Sequence, residues 1–276
     1  MLLTAITLAL LSRALAAPVE LEERQSCPNI HIFGARETTA PQGYGSAGTV
    51  VNLILNAHPG STAEAIVYPA AGGNSYGSSV QAGVQAVTNA VTSFAAKCPN
   101  TELVLVGYSQ GAQIIDDALC GGGDTNMGIS STTAPISAAV GAKVKAVIWM
   151  GDPRHTPGAP YNVGTSTADG FDPRPASQTC ATYASRIKSY CDASDPYCSN
   201  GNNPATHQGY GSETEHSEEH RTCLLRDKMD LWPDKTPGFA YQLRLLHPSN
   251  TIQYAQRSIV HRISRSFRCY GAGEPT

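Results

Sequence analysis

Short apolar segments alternate with segments of helical periodicity between residues 26 and 212. Continuous apolar runs are typical of strands that are buried on both faces of a sheet. Four largely apolar runs fit this description, at Ile30–Ala35, 65–68, 103–106 and Val144–Met150, and a last short strand is expected at Ile187–Tyr190. The pattern therefore predicts a central sheet of five strands.

Helices are predicted between most of these strands. Val80, Val84, Val87, Val91 and Phe94 repeat at helical spacing and form one apolar face, which is typical of a helix packed on a core. Residues 49–57 and 112–119 also favour helices. Strands that alternate with helices indicate a parallel sheet, so we expect an α/β fold with helices on both faces of the sheet and no lid domain.

Composition narrows the classes of function. Charged residues make up 15% of the 276 residues, and the formal net charge is -3. Such a chain offers no basic surface for a phosphate backbone, so we do not expect nucleic acid as a partner. Its long apolar run, at residues 1–11, is too short to span a bilayer, so no membrane anchor is expected either.

The first 25 residues have the pattern of a segment that is removed on secretion. An apolar stretch is followed by Ala14, Leu15 and Ala16, the small-residue pattern of a cleavage site. We predict a signal peptide at 1–17, a propeptide at 18–25 and an extracellular protein. Eight cysteines in a secreted chain favour disulfides over free thiols.

The chain changes character near residue 212. Charged side chains rise from about 10% of residues 26–212 to about 27% of residues 213–276, and half of the eight histidines lie in the later part. We expect one domain at 26–212, followed by a poorly ordered tail that is an altered terminus. Cys223 and Cys269 lie in this tail, and their pairing is left open.

One motif indicates catalysis by a serine. Gly107-Tyr108-Ser109-Gln110-Gly111 lies between a predicted strand and a predicted helix, the context of a nucleophile elbow. A serine hydroxyl needs a base to take its proton, together with donors for the oxyanion that forms. The backbone N–H of Gln110, the residue after the serine, is expected to be one such donor.

The acid and the base are both expected after Ser109 along the chain, with the acid before the base. His155 and His207 follow Ser109 before the compositional break, and His207 has an acidic segment shortly before it. That segment favours Asp195 or Asp192 over Asp152, and the residues alone do not choose between the first two.

Segments 26–28, 33–39, 150–153 and 187–212, together with the elbow and its strand, match the pattern of a known family. Through them the chain resembles the cutinase-like carbohydrate esterases of family 5, and most of all their acetylxylan esterases. The resemblance implies an α/β-hydrolase fold. It also assigns the nucleophile to Ser109, the general base to His207 and the orienting acid to Asp195, with Thr38 and Gln110 in the oxyanion hole.

The resemblance further implies three disulfides and a substrate. The disulfides join Cys27 with Cys98, Cys120 with Cys180, and Cys191 with Cys198. The expected reaction is removal of O-acetyl groups from xylan through an acyl-enzyme, by a monomer that needs no cofactor. Polar loops that bear tyrosine favour this substrate over the aliphatic polyesters of a cutinase. The remaining alternative is a non-catalytic protein or an inactive product with an altered C-terminus.

A rival motif lies in the tail. His216, Glu219 and His220 fit the H-x-x-E-H pattern of inverted zinc peptidases. The match is short, it lies in a stretch rich in charge, and it lacks a clear third ligand. We therefore expect a solvated segment there and no metal site.

Overall fold

The computed structural model describes residues 26–176 and 178–211. They form a six-stranded sheet in the order β2-β1-β3-β4-β6-β5, in which every neighbouring pair is parallel. The strands are β1 Ile30–Ala35, β2 Thr62–Ala65, β3 Glu102–Tyr108, β4 Val144–Met150, β5 Asn162–Val163 and β6 Ile187–Tyr190.

Helices cover both faces of this sheet. The α-helices are α1 Gly48–Ala57, α2 Tyr76–Lys97, α3 Gln110–Cys120, α4 Ala138–Gly141 and α5 Pro204–Gly209. Short 3-10 helices lie at Gly45–Ala47, Gly73–Ser75, Thr125–Met127 and Ala181–Arg186. The predicted architecture, a parallel sheet between two layers of helices, is confirmed.

The core has two halves because successive side chains of a strand point to opposite faces. Phe33, Leu105 and Trp149 pack beneath α2 and α3, whereas Ile32 and Val104 pack on the other face with residues of α1. Both sets are almost fully buried. This arrangement is the physical reason for the continuous apolar runs in β1, β3 and β4.

Two details of the sheet differ from the expectation. The sixth strand, β5, has two residues that pair with Ser189 and Tyr190, which is too short to produce a sequence pattern. The second strand lies at Thr62–Ala65, just before the apolar run at 65–68. Ile66 and Tyr68 still fill the core, but their carbonyls accept hydrogen bonds from the buried Arg36 guanidinium and not from a neighbouring strand.

A buried ionic cluster joins the segment after β4 to α3. Arg154 lies 3.3 Å from Asp117 and 3.6 Å from Asp172, and Arg174 lies 2.7 Å from Asp116. All five side chains are almost fully buried, so each charge needs its partners. The cluster therefore fixes the chain that leaves the carboxyl end of β4.

Three disulfides connect the described residues. They join Cys27 to Cys98, Cys120 to Cys180, and Cys191 to Cys198, which is the pairing that the resemblance implied. No helix among the described residues is long and apolar enough to cross a membrane. The predicted signal peptide, the propeptide, the tail at 213–276 and its H-x-x-E-H motif lie outside the described residues.

Candidate active site

Ser109 occupies a sharp turn between β3 and α3. Its backbone has φ 52° and ψ -121°, a conformation that side-chain-bearing residues rarely adopt. Close packing explains both flanking glycines. A Cβ on Gly107 would lie 2.6 Å from Ala112 Cα, and one on Gly111 would lie 2.2 Å from the Ala35 carbonyl oxygen. The predicted elbow context, a strand, a tight turn and a helix, is thus present.

His207 lies between Ser109 and Asp195. Its Nε2 is 2.9 Å from Ser109 Oγ, and its Nδ1 is 2.8 Å from Asp195 Oδ2. A carboxylate can only accept, so Nδ1 donates to Asp195 and Nε2 is left to accept from the Ser109 hydroxyl. Residues far apart in the sequence are therefore joined in one hydrogen-bonded chain.

The surroundings of Asp195 keep its carboxylate ionised. Burial alone would raise its pKa, but the hydrogen bond and charge of His207 and the backbone N–H groups of Tyr197 and Cys198 outweigh burial. The net result is a pKa below the ordinary value. Those two N–H groups donate to Asp195 Oδ1 at 2.6 and 3.1 Å, so both carboxylate oxygens are engaged.

Three contacts position His207. Asn203 caps the short helix α5 by accepting a hydrogen bond from the backbone of Ala205. The buried Tyr108 hydroxyl donates to the His207 carbonyl. Gly151, with φ 63°, lies directly against the imidazole ring. The roles of Tyr108 and Gly151 in positioning His207 were not predicted from the sequence, although both residues lie in motifs that carried the family resemblance.

The other candidate residues have different partners. Asp192 Oδ1 accepts hydrogen bonds from the backbone and hydroxyl of Thr165. Asp152 Oδ1 accepts from the backbone of Arg154, and burial raises the pKa of Asp152 well above its ordinary value. The backbone of His155 bonds with Asp152 and Gly170. Of the alternatives considered, His207 is the histidine that contacts Ser109, and Asp195 is the acid that contacts His207.

The segment that carries Thr38 lies against the elbow and is held rigidly. Arg36 donates to the Ala40 carbonyl within this segment, and the Thr39 backbone donates to the Ala70 carbonyl at 2.7 Å. The buried Gln110 side chain accepts from Ser79 and donates to the Ala71 carbonyl, which ties the elbow to the same neighbouring loop. Thr38 and Ser109 line one cleft.

This cleft has a volume of about 1110 Å³. It is lined by Glu37, Thr38, Thr39, Ala40, Ser46, Gly72, Gly73, Tyr76, Tyr108, Ser109, Phe171, Pro196, Tyr197, Pro204, His207 and Gln208. Among the described lining residues there is no leucine, isoleucine, valine or methionine. The side chains that offer apolar surface are mainly aromatic rings and prolines, interspersed with hydroxyl and amide groups.

The parallel sheet, the elbow that follows β3 and the late histidine define the class of this protein: it has the fold of an α/β hydrolase. The profile of the Cutinase family matches residues 26–220. That match continues beyond Ser212, where the resemblance seen in the motifs ends.

Similar proteins carry two kinds of name. The chain is 61% identical over 210 residues to Cutinase 11 of Verticillium dahliae, covering 74% of this chain and 71% of the relative. It is 58% identical over 215 residues to an acetylxylan esterase of Hypocrea jecorina, with the same shares covered. The catalytic core domain of acetyl xylan esterase from Trichoderma reesei aligns with a TM-score of 0.68 and 56% identity, covering 74% of this chain and 100% of that domain.

The chain belongs to the cutinase family. It is a carboxylic ester hydrolase, as the names of its relatives indicate.

Proposed function

We propose that this protein is a secreted serine esterase that removes O-acetyl groups from xylan, with Ser109, His207 and Asp195 as its catalytic triad. The hydrogen-bonded chain from Ser109 Oγ through His207 to Asp195 supports the chemistry. It also argues against a non-catalytic protein, because a buried serine, imidazole and carboxylate in this order have little use in binding alone.

The reaction proceeds in two halves. Ser109 Oγ attacks the acetyl carbonyl carbon while His207 Nε2 takes the hydroxyl proton, and the new imidazolium is stabilised by the Asp195 carboxylate. The oxyanion receives hydrogen bonds from the backbone N–H groups of Thr38 and Gln110. His207 then protonates the departing sugar oxygen. In the second half, a water attacks the acetyl carbonyl of the acetyl-enzyme while His207 takes its proton. His207 then gives that proton to Ser109 Oγ as the ester bond breaks, which releases acetate and regenerates the free serine.

The lining of the cleft supports acetylated carbohydrate as the substrate. A site for long alkyl chains favours aliphatic side chains, and this cleft presents none of the large ones among its described lining residues. Hydroxyl groups and aromatic rings instead suit the alternating polar and apolar surfaces of a sugar. The names of two acetylxylan esterase relatives agree with this choice.

The alternative substrate is an aliphatic polyester. It is favoured by the relative with 61% identity, which is named a cutinase.

An extracellular setting is supported by the three disulfides and by the signal-like pattern of residues 1–17, since such bonds persist in oxidising compartments.

The two substrates are separated by a rate comparison on purified protein. We expect acetate release from acetylated xylan, and a steep fall in rate from 4-nitrophenyl acetate to esters of longer acyl chains. Rates that rise with chain length, without deacetylation of xylan, would support the cutinase alternative.

The nucleophile is tested by Ser109→Ala, with Ser93→Ala on the exposed face of α2 as the matched control. We expect Ser109→Ala to lower kcat on the order of 10⁴-fold and Ser93→Ala to leave it unchanged. More than a tenth of the activity remaining in Ser109→Ala would place the nucleophile elsewhere.

A further inference from the structure

Aromatic side chains are exposed at the rim of the active-site cleft. Among the described residues the exposed large apolar side chains are Val67, Phe171 and Tyr197, with 73%, 48% and 44% of their surface accessible. Phe171 and Tyr197 line the cleft that contains Ser109, whereas Val67 does not. Single exposed apolar side chains are common on protein surfaces, but two exposed aromatic rings in the cleft that contains the serine form a surface that a bound substrate can cover.

The backbone under Phe171 is fixed from three directions. The N–H of Phe171 donates to the Tyr197 carbonyl at 2.9 Å, that of Gly170 to the His155 carbonyl at 2.9 Å, and that of Asp172 to the Pro153 carbonyl at 3.2 Å. A Cβ on Gly170 would lie 2.2 Å from the Pro153 carbonyl oxygen, so the backbone at Gly170 packs closely against the backbone at Pro153. The ring is therefore attached to a rigid support and not to a loose loop.

The side chains on either side of the ring are fixed as well. Asp172 is fully buried and accepts hydrogen bonds from Asn126 at 2.7 Å and from Gln113 at 2.8 Å. The Tyr76 hydroxyl donates to Gln113 at 2.6 Å. Tyr76 thus turns its polar tip toward the protein interior and packs its ring against Phe171, with centroids 5.7 Å apart and planes at 66°.

The shape and chemistry of this support suit a sugar ring. The C–H groups of a pyranose form an apolar face with a slight positive charge, which fits the electron-rich face of an aromatic ring. An acetyl group fills only a small part of a cleft of about 1110 Å³, so most of that space is available to the remainder of the substrate. A rigid aromatic ring binds such a face with little loss of conformational entropy.

From these contacts we propose that Phe171, supported by Tyr76, is a stacking subsite for a pyranose ring of the polysaccharide main chain that carries the ester. The subsite rests on the proposed function, and it makes Phe171 a determinant of specificity for polymeric substrate. It takes no part in the chemical step, which belongs to Ser109 and His207. Tyr197 is not the residue to test, because its ring lies 4.5 Å from that of His207 and its N–H binds Asp195.

The first test compares Phe171→Ala, Phe171→Leu and Phe171→Tyr on two substrates. We expect the Ala and Leu variants to lose about ten-fold in kcat/KM on acetylated xylan, while the Tyr variant stays within about two-fold of the wild type. The loss on 4-nitrophenyl acetate should be much smaller than the loss on xylan, because that ester carries no polysaccharide chain, so the ratio of the two rates reports the subsite. Val67→Ala, which removes exposed apolar surface away from the cleft, should change neither rate.

The second test measures sugar binding without ester hydrolysis, so that the subsite is tested independently of the proposed function. Binding of deacetylated xylo-oligosaccharides to Ser109→Ala is measured by NMR titration, with and without Phe171→Leu. Binding that is weakened at least about five-fold by the second change supports the subsite, even if the wild type proves inactive on acetylated xylan and the proposed function fails. Absent or unchanged binding overturns the subsite. A Leu variant that is as active on xylan as the wild type also overturns it, since that result indicates general apolar contact without stacking.

Discussion

The close packing of Gly151 against the His207 imidazole predicts that Gly151→Ala lowers kcat. Gly151 follows β4, and its backbone has φ 63°. A Cβ at this position would lie 2.7 Å from Cε1 and 2.8 Å from Nδ1 of His207, and 3.3 Å from the ring of Tyr210. Carbon atoms do not approach so closely, so the histidine ring must move.

The size of that movement follows from the distances. Restoring an ordinary contact of 3.4 Å displaces the His207 ring by about 0.7 Å from its place between Ser109 and Asp195. Misplacement of reacting groups by about 1 Å costs on the order of 10²-fold in rate. We therefore expect kcat of Gly151→Ala to fall about 10- to 100-fold. The left-handed backbone adds about 1 kcal/mol of strain and lowers Tm by about 2 to 4 °C.

Gly158→Ala is the matched control. Gly158 has φ 78°, and an added Cβ there meets no atom within 4 Å, so the variant carries the backbone strain without the contact. The assay is kcat on 4-nitrophenyl acetate together with Tm by calorimetry. We expect both variants to lose Tm, Gly151→Ala by more because it also carries the contact, and we expect a loss of kcat in Gly151→Ala alone. Equal kcat in the two variants would show that the ring tolerates the Cβ and would refute the reasoning.

Three further predictions concern stability and metals. Replacing Cys27 and Cys98 by alanine should cost about 4 kcal/mol of unfolding free energy, and replacing Cys191 and Cys198 about 2.5 kcal/mol, because their sequence separations are 71 and 7. Loss of the short bridge should nevertheless lower kcat more than loss of the long one, and the reverse order of kcat losses would contradict its role. Burial raises the pKa of Asp172 to about 6, with Asp124 adding to the rise, so between about pH 4 and 6 the native state holds a proton that the unfolded chain has released. Tm should therefore fall as pH rises from about 4 to 6, and an unaltered slope of Tm against pH in Asp172→Asn would disprove this source. EDTA should not change esterase activity, and inhibition that zinc reverses would contradict a mechanism without metal.

The local features of this protein follow from the sequence alone. Runs of mostly apolar residues identify β1, β3 and β4, because a strand buried on both faces needs apolar residues at nearly every position. The elbow around Ser109 is equally local, since the two glycines and the serine lie within five residues and the turn depends on their own backbone. The edge strand β5 could not be predicted in this way, because two residues are too few to show a pattern of apolar and polar positions.

The choice of partners for Ser109 required the tertiary structure. Asp192 and Asp195 lie in the same short loop, and their composition does not distinguish them. The loop closed by Cys191 and Cys198 buries Asp195 fully beneath His207, while Asp192 bonds with Thr165. Which carboxylate faces inward depends on the path of the backbone, and that path is set by packing against distant strands.

The other features of the active site depend on contacts between residues that are far apart in the sequence. Ser109 and His207 are 98 residues apart, and the Tyr108 hydroxyl reaches the carbonyl of the same histidine from the neighbouring position. The need for glycine at Gly151 and the support of Phe171 by Tyr76 arise in the same way. Sequence periodicity reports only which face of its own element a residue occupies. Its neighbours across the sheet edge are decided when the strands pair and the loops at their carboxyl ends meet.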